Sequence, residues 1–332
     1  MKKAVYKLPD EFVERLREIF PPSQFVKLMH TFTEKRPTTF RVNTLKGERK
    51  TVIDSLKQDG LRLERIPWYE DAFILRNQGK KELMETPFYK ESKIYIQTLS
   101  SMLPPLVLDP SPEDLLLDLA AAPGSKTTQM ACLMQNKGKI VACDFVRDRF
   151  FKLLSNLKEQ GVENAQTILG NGQTLWIKFK EHFNKVLLDS PCSTEGRFDV
   201  TNPKTFLFWK EKKIKEMVRK QKRLLYSGIN ALKVGGRLVY STCTFAPEEN
   251  EGVVNWALRK FSGKIYLEKI QLNIPNIIPG LLEWKGEKFL PEVRRSLRVL
   301  PTQDMEGFFI CLLHKTESTL KTEPSPAIQS FS

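Results

Sequence analysis

The sequence predicts an α/β protein: a doubly wound parallel sheet with helices on both faces, preceded by a small α+β unit. Three observations carry this. From residue 113 onward, short apolar runs alternate with amphipathic stretches, the pattern of parallel strands buried on both faces and joined by crossover helices. A glycine turn, APGSK, lies between the first such strand and its helix, where open α/β sheets bind ligands. Before residue 113 the texture differs, with strand-like segments around one short helix.

In order along the chain, residues 1–37 read as N-terminal helices, two short ones over 10–33 broken at Pro21-Pro22. Residues 38–86 form the small α+β unit, with ferredoxin- or RRM-like topology expected. TFRVNTL (39–45) alternates as a strand, TVIDSLKQDG (51–60) is a helix stopped at Gly60, and LRLERI (61–66) and AFILRN (72–77) are two further strands. Residues 87–112 read as a connector holding an apolar helix, its prolines at 104, 105, 110 and 112 marking the next domain's edge. Residues 113–315 carry the large domain. Its strands are LLLDLA (115–120), KIVACD (139–144), AQTILG (165–170), KVLLDS (185–190) and GRLVYST (236–242). Helices are expected from APGSK to about 135, at 147–160, at about 209–232 and at about 247–260. GFFICLLH (307–314) is expected to close the sheet edge. The polar, Pro- and Ser-rich tail, 316–332, is predicted to be disordered.

Composition limits the function classes. With 41% hydrophobic and 28% charged residues the profile is globular, and no apolar run is long enough to span a membrane. Two lysines near the N-terminus have no apolar stretch behind them, so no signal peptide is expected. The chain reads as soluble, cytoplasmic and monomeric. A net charge of +14 makes a polyanion the natural partner. The five cysteines are odd in number and form no C-x-x-C pair, which argues against a disulfide framework or a zinc site. Cys132, Cys143 and Cys311 sit in apolar runs and read as buried hydrophobes; Cys192 and Cys243 follow strands and open turns.

DLAAAPGSKT (118–127) is neither a dinucleotide fingerprint nor a P-loop. Gly124 lets the backbone approach a ligand closely, and the helix that follows offers free N–H groups. Asp144 ends the second strand about twenty residues on, a position suited to ribose hydroxyls of S-adenosylmethionine or NAD; the plain alternative is a helix cap. DSPCSTEGR (189–197) follows the fourth strand and YSTCTFAPEENE (240–251) the fifth. Both cysteines therefore lie at the C-terminal edge of the sheet, above the turn. Read from spacing alone, they are either a chemical pair or incidental small residues.

Taken together, DLAAAPGSKTT, the CD pair at 143–144, DSPCS and YSTCTFAPEENE resemble the Sun-type (Nop/Sun) RNA cytosine-5 methyltransferases. The resemblance extends to FRVNTLKG (40–47), YIQTLSSMLPPLVLDP (95–110) and LRVLPTQDMEGFFICLLHK (297–315), and covers roughly 35–315. It implies that the parallel sheet is a Rossmann-like, S-adenosylmethionine-dependent methyltransferase domain acting on rRNA or tRNA. It implies Cys243 as the nucleophile at carbon 6 of cytosine and Cys192 as the group that assists product release. It implies Asp189 and Lys126 facing the base. Ala120, Ala121, Ala122, Pro123, Gly124, Ser125 and Lys126 would wrap the methionine part of S-adenosylmethionine. Asp144 would hold the ribose, Arg149 would lie on the cofactor side, and Asn171 would lie beside the adenine, with Asp189 bordering the same site. The chemistry needs a thiol because carbon 5 of cytosine is a poor nucleophile; a thiolate added at carbon 6 makes it enamine-like. The base must leave its stack for that addition.

This chain departs from the family pattern at Ala120 and Ser125, small for small, at Ser190, and at Asn171, which keeps hydrogen bonding without the charge. DNA cytosine methyltransferases use related chemistry but carry a Glu-Asn-Val motif that is absent here. RNA contacts are expected from KEKKIKEMVRKQKR (210–223), from Arg41, Lys46, Arg49 and Lys50, and from RRSLRVLP (294–301), with Trp68 and Tyr69 as candidate stacking residues and Phe40 expected in the core rather than on a base. The competing reading is a non-catalytic RNA-binding or ribosome-assembly protein on the same fold; the intact Cys243, Cys192, Asp189 and cofactor turn argue against it.

Overall fold

The computed structural model describes residues 5–320. The disorder expected for 316–332 falls largely outside them. The helices are α1 (Asp10–Ile19), α2 (Pro22–Thr31), α3 (Arg49–Gln58), α4 (Lys80–Glu85), α5 (Pro87–Lys90), α6 (Leu99–Leu108), α7 (Ser125–Leu133), α8 (Arg147–Glu159), α9 (Glu211–Ala231) and α10 (Glu251–Lys260). The strands of the small unit are β1 (Thr38–Val42), β2 (Leu63–Ile66), β3 (Tyr69–Leu75) and β4 (Ile94–Ile96). Those of the large sheet are β5 (Leu115–Asp118), β6 (Lys139–Asp144), β7 (Ala165–Leu169), β8 (Phe183–Asp189), β9 (Leu232–Thr242), β10 (Ile265–Glu268) and β11 (Ile277–Pro279). A hairpin, β12 (Glu283–Trp284) and β13 (Glu287–Lys288), precedes β14 (Leu297–Val299) and β15 (Phe308–Lys315).

The small sheet has the order β2-β3-β1-β4 with antiparallel neighbours, and α3 crosses between β1 and β2. That is the ferredoxin-like split βαβ arrangement. Its fourth strand, β4, comes from the stretch read as connector, so the unit runs past residue 86. Phe40 and Phe73 stack at 5.8 Å in its core.

The large sheet has the order β11-β14-β15-β9-β8-β5-β6-β7, with β10 also on β15. From β9 to β7 all pairs are parallel, and Leu116, Leu117, Ile140, Val186 and Leu187 are fully or almost fully buried. The order reverses at β5, and helices cover both faces. The late strand β15 does not close the edge. It lies antiparallel inside the sheet, between β9 and β14, because β11 and β14 pair beyond it. α6 runs through Pro104 and Pro105 and packs on α7, β8 and β9.

Two residues assigned to an RNA surface are buried struts instead. Arg41 has no exposed surface: Nε donates to Gln97 Oε1 at 2.9 Å and Nη2 to Thr128 Oγ1 at 2.7 Å, tying β1 to α7. Arg298 holds Glu251 through two bonds of 2.6 Å. Arg49 is ion-paired with Glu70 and Asp71. Phe40 and Tyr69 are buried and Trp68 is partly buried. Lys46 and Lys50 are exposed, as are Lys210, Lys212, Lys213, Lys215, Arg219, Lys220 and Arg223 on and just before α9. The apolar stripe of α9, with Ile214, Met217, Leu224 and Leu225 buried, turns these cations outward.

Candidate active site

The C-terminal ends of β5, β6, β8 and β9 bring together the residues that the sequence singles out. At the end of β5 the chain turns at Gly124, whose φ of +106° favours glycine; a Cβ there would also stand 3.0 Å from Leu153. α7 then starts with no side chain capping its N-terminus. Asp144, at the end of β6, is buried. Its Oδ2 accepts from the backbone N–H of Ala122 at 3.1 Å and its Oδ1 from that of Val146 at 3.0 Å. Arg149 reaches back from α8 to the carbonyl of Ala122 and stands 3.6 Å from Asp144. It clamps the turn between the two strand ends. Asn171 follows Gly170, whose N–H donates to the Asp144 carbonyl at 3.0 Å; it is exposed, accepts from the Gln173 N–H at 3.0 Å, and lines a cavity of about 530 Å³ with Trp176, Tyr226 and Trp256.

Asp118, wholly buried at the end of β5, accepts from Thr127 at 2.7 Å; burial raises its pKa to about 7. Lys126, on the first turn of α7, is 8% exposed. Its Nζ lies 2.6 Å from Asp189 Oδ2 and donates to Ser101 Oγ at 2.8 Å. The other oxygen of Asp189 accepts from Ser241 at 2.7 Å. Asp189 is therefore fixed on both sides while keeping part of its surface open.

The two thiols meet above this pair, with Sγ of Cys192 3.4 Å from Sγ of Cys243. Both are free cysteines and partly exposed, unlike the buried Cys132, Cys143 and Cys311. Their loops are locked by buried polar groups. Gly196 N–H donates to the carbonyl of Cys243 at 2.9 Å. Ser193 and Thr244, each next to one cysteine, share a hydrogen bond of 2.7 Å. Glu195 accepts from Thr244 at 2.8 Å and from the Trp209 indole at 2.9 Å. Glu249 accepts from Ser193 N–H at 3.1 Å and from Gln221 at 2.7 Å. Glu248 binds Arg15 of α1 at 2.6 Å. The hydrogen bond with Cys243, burial and the charge of Cys243 push the Cys192 thiol well above its ordinary range, so it keeps its proton. Burial, then the nearby Glu195, raise Glu249 to about 8.

Sequence reasoning placed Cys192, Cys243, Asp189, Lys126, Asp144, Arg149 and the turn 120–126 at one edge, and the structure brings them there. It missed Ser101, Ser241, Glu195, Gln221 and the locking role of Glu248, Glu249 and Glu251. The signal was the acidic run EENE beside the second cysteine, dense in carboxylates where a surface loop needs none.

A doubly wound sheet with a ligand turn after its first strand, an acidic residue after its second and two thiols after its fourth and fifth is the arrangement of an α/β enzyme that binds a nucleoside cofactor, and its relatives make the class that of S-adenosylmethionine-dependent methyltransferases. Residues 105–314 match the family described as 16S rRNA methyltransferase RsmB/F, and residues 8–98 match the N-terminal domain of 16S rRNA methyltransferase RsmF. The tRNA (cytosine(49)-C(5))-methyltransferase of Pyrococcus abyssi is 39% identical over 321 residues, covering 95% of this chain and 98% of that protein. Ribosomal RNA small subunit methyltransferase F of Shewanella piezotolerans is 32% identical, covering 96% of this chain and 66% of that longer protein. The crystal structure of NSun6 from Pyrococcus horikoshii with SFG has a TM-score of 0.77 at 26% identity, over 93% of this chain and 98% of that one. The chain belongs to the RsmB/F family, the Sun-type RNA cytosine-C5 methyltransferases that its motifs resemble.

Proposed function

We propose that the chain transfers a methyl group from S-adenosylmethionine to carbon 5 of a cytosine in tRNA or rRNA through a covalent adduct between Cys243 and carbon 6. The observation that carries this reading is the 3.4 Å contact between Cys192 and Cys243 beside the Lys126–Asp189 pair. The residues present fit the methyl donor. The uncapped N-terminus of α7 suits its carboxylate, and Asp144 has lone pairs left for ribose hydroxyls. Ala120 to Lys126 and Arg149 line that side, and Asn171, next to Gly170 on the Asp144 carbonyl, would lie beside the adenine. When bound, the donor supplies an electrophilic methyl group.

Cys192 keeps its proton and can donate it toward the sulfur of Cys243, which leaves Cys243 as the nucleophile of the pair. Its sulfur adds to carbon 6 as a thiolate, the form the addition requires. Asp189 accepts from the exocyclic amine, and the Lys126 ammonium offsets the negative charge pushed into the ring. After methylation, Cys192 passes its proton to the departing Cys243 sulfur, and the thiolate left on Cys192 takes the proton from carbon 5. The pair ends one proton richer, and that proton is the one cytosine loses. The outward cations of α9 supply phosphate contacts.

The test is transfer of labelled methyl from S-adenosylmethionine to separated tRNA and rRNA, followed by nucleoside analysis. Label in 5-methylcytidine is the expected result. Label in another nucleoside, or none while the donor binds, overturns the reading. The tRNA arm comes first, given the Pyrococcus abyssi relative.

A further inference from the structure

A second arginine-bearing segment reaches the loop that carries Cys192. The N–H of Val200 donates to the carbonyl of Phe32 at 3.1 Å, which lays residues 32–36, the exit of α2, against residues 196–200. Arg36 sits on that exit. Its Nε and Nη2 are buried and have no hydrogen-bond partner among the described residues. The charges that face it are Glu306, Asp199, Glu34 and Arg197, and none of them bonds to those two nitrogens. A buried guanidinium with two unmatched donors is costly, and such donors normally find an acceptor.

Arg197 is the other half. It follows Gly196, whose N–H holds the Cys243 carbonyl at 2.9 Å, so its backbone is one residue from direct contact with the cysteine loop. Its side chain is 57% exposed, and its ion pair among the described residues is a loose one to Glu306, at 3.6 Å. Glu306 is itself held by Thr98 at 3.2 Å. Two guanidiniums thus face each other beside the Cys192 loop, Arg197 within the field of both thiols, opposed by Glu306, Asp199 and Glu34, none of which grips either closely.

We infer that Arg36 and Arg197 form a clamp for an RNA phosphodiester next to the cytosine that enters the thiol pocket. This rests on the function proposed above. A base whose carbon 6 must reach Cys243 has left its stack, so the backbone beside it bends toward the pocket mouth and presents phosphate oxygens there. The planar fork of arginine matches two such oxygens; Arg197 is already exposed, and Arg36, whose Nε and Nη2 lose no hydrogen bond by moving, would turn outward to meet the phosphate. The clamp would fix the register of the flipped nucleotide without reading its sequence.

The experiment compares wild type with Arg36→Ala, Arg36→Lys and Arg197→Ala in two assays. The first is steady-state methylation of the RNA fraction that accepts label. The second is fluorescence anisotropy of oligocytidylate without methyl donor, across a salt series. Loss of Arg36 is expected to raise KM about tenfold, more than it lowers kcat, and to reduce the salt slope of RNA binding by about one. Donor binding should hold. Arg36→Lys should recover the salt slope but only part of the KM, because it keeps the charge and loses the fork. It also serves if the alanine variant folds poorly. An unchanged KM and salt slope in Arg36→Ala and Arg197→Ala overturns the clamp, as does a loss confined to kcat. If no RNA accepts methyl label, the proposed function fails, while the anisotropy salt slopes still decide the clamp.

Discussion

The sulfur atoms of Cys192 and Cys243 stand 3.4 Å apart across 51 residues of sequence. Neither loop could hold that contact alone. It exists because β8 and β9 are parallel neighbours, with Asp189 opposite Ser241, so their C-terminal ends deliver both loops to one place.

The division of labour between the thiols separates in a gel. Cys243→Ala is expected to abolish methylation and to form no RNA adduct that survives denaturation. Cys192→Ala should keep the nucleophile and lose the group that assists release, so it should accumulate a covalent RNA adduct and turn over slowly. The measurement is mobility of labelled RNA with each variant under denaturing conditions, in the presence of S-adenosylmethionine. Adduct with Cys243→Ala and none with Cys192→Ala would reverse the roles assigned here.

Glu249 makes stability depend on pH in a direction opposite to that of a surface ion pair. Its ordinary pKa is 4.5, and burial together with Glu195 raises it to about 8 in the fold. Between those values the folded protein binds a proton that the unfolded chain has released. The stabilisation is therefore full below the unfolded value, fades as pH rises, and is gone above about 8, with a slope of at most about 1.4 kcal/mol per pH unit. Asp118, raised to about 7, acts with the same sign. Glu249→Gln keeps an oxygen for Ser193 and Gln221 and cannot ionise. Thermal melts across this range should show a shallower decline for the variant than for wild type. Parallel curves would mean that Glu249 is ionised in the fold.

What could be read from the sequence follows from periodicity and from turn chemistry. β5, β6 and β8 are short apolar runs because both faces of a parallel sheet are covered, and that pattern is visible without coordinates. The turn at Gly124 and the cysteine boxes are local strings. What was not legible depends on long-range pairing. Arg41 reads as a surface cation on an alternating strand, yet it faces α7 and hydrogen-bonds there. Arg298, in a basic run, is consumed by Glu251. β15 looks like an edge strand until β14 and β11 pair beyond it. The partners of the EENE carboxylates come from α1, the Cys192 loop and β14, elements that only the fold brings beside the run.

Gly196 is where the Cys192 loop crosses the chain leading to β15. A Cβ there would fall onto the carbonyl of Gly307 and stand 3.1 Å from that of Cys243. Both carbonyls are backbone, so neither can swing aside as a side chain would. Gly196→Ala must push the Cys243 loop and the 307 segment apart, breaking the Gly196-to-Cys243 hydrogen bond. A displacement of about 1 Å at a reacting group costs on the order of a hundredfold in rate. S-adenosylmethionine binding, which would rest on β5, β6 and α7, should persist. The control is Gly263→Ala, at a positive φ of 77° with nothing within 4 Å of the added carbon, which strains the backbone far from the thiols. Methylation rate, donor affinity and melting temperature are measured for both. The expected pattern is a rate loss in Gly196→Ala far larger than in Gly263→Ala at comparable destabilisation. Equal rate losses would mean that stability, not the position of Cys243, sets the activity of these variants.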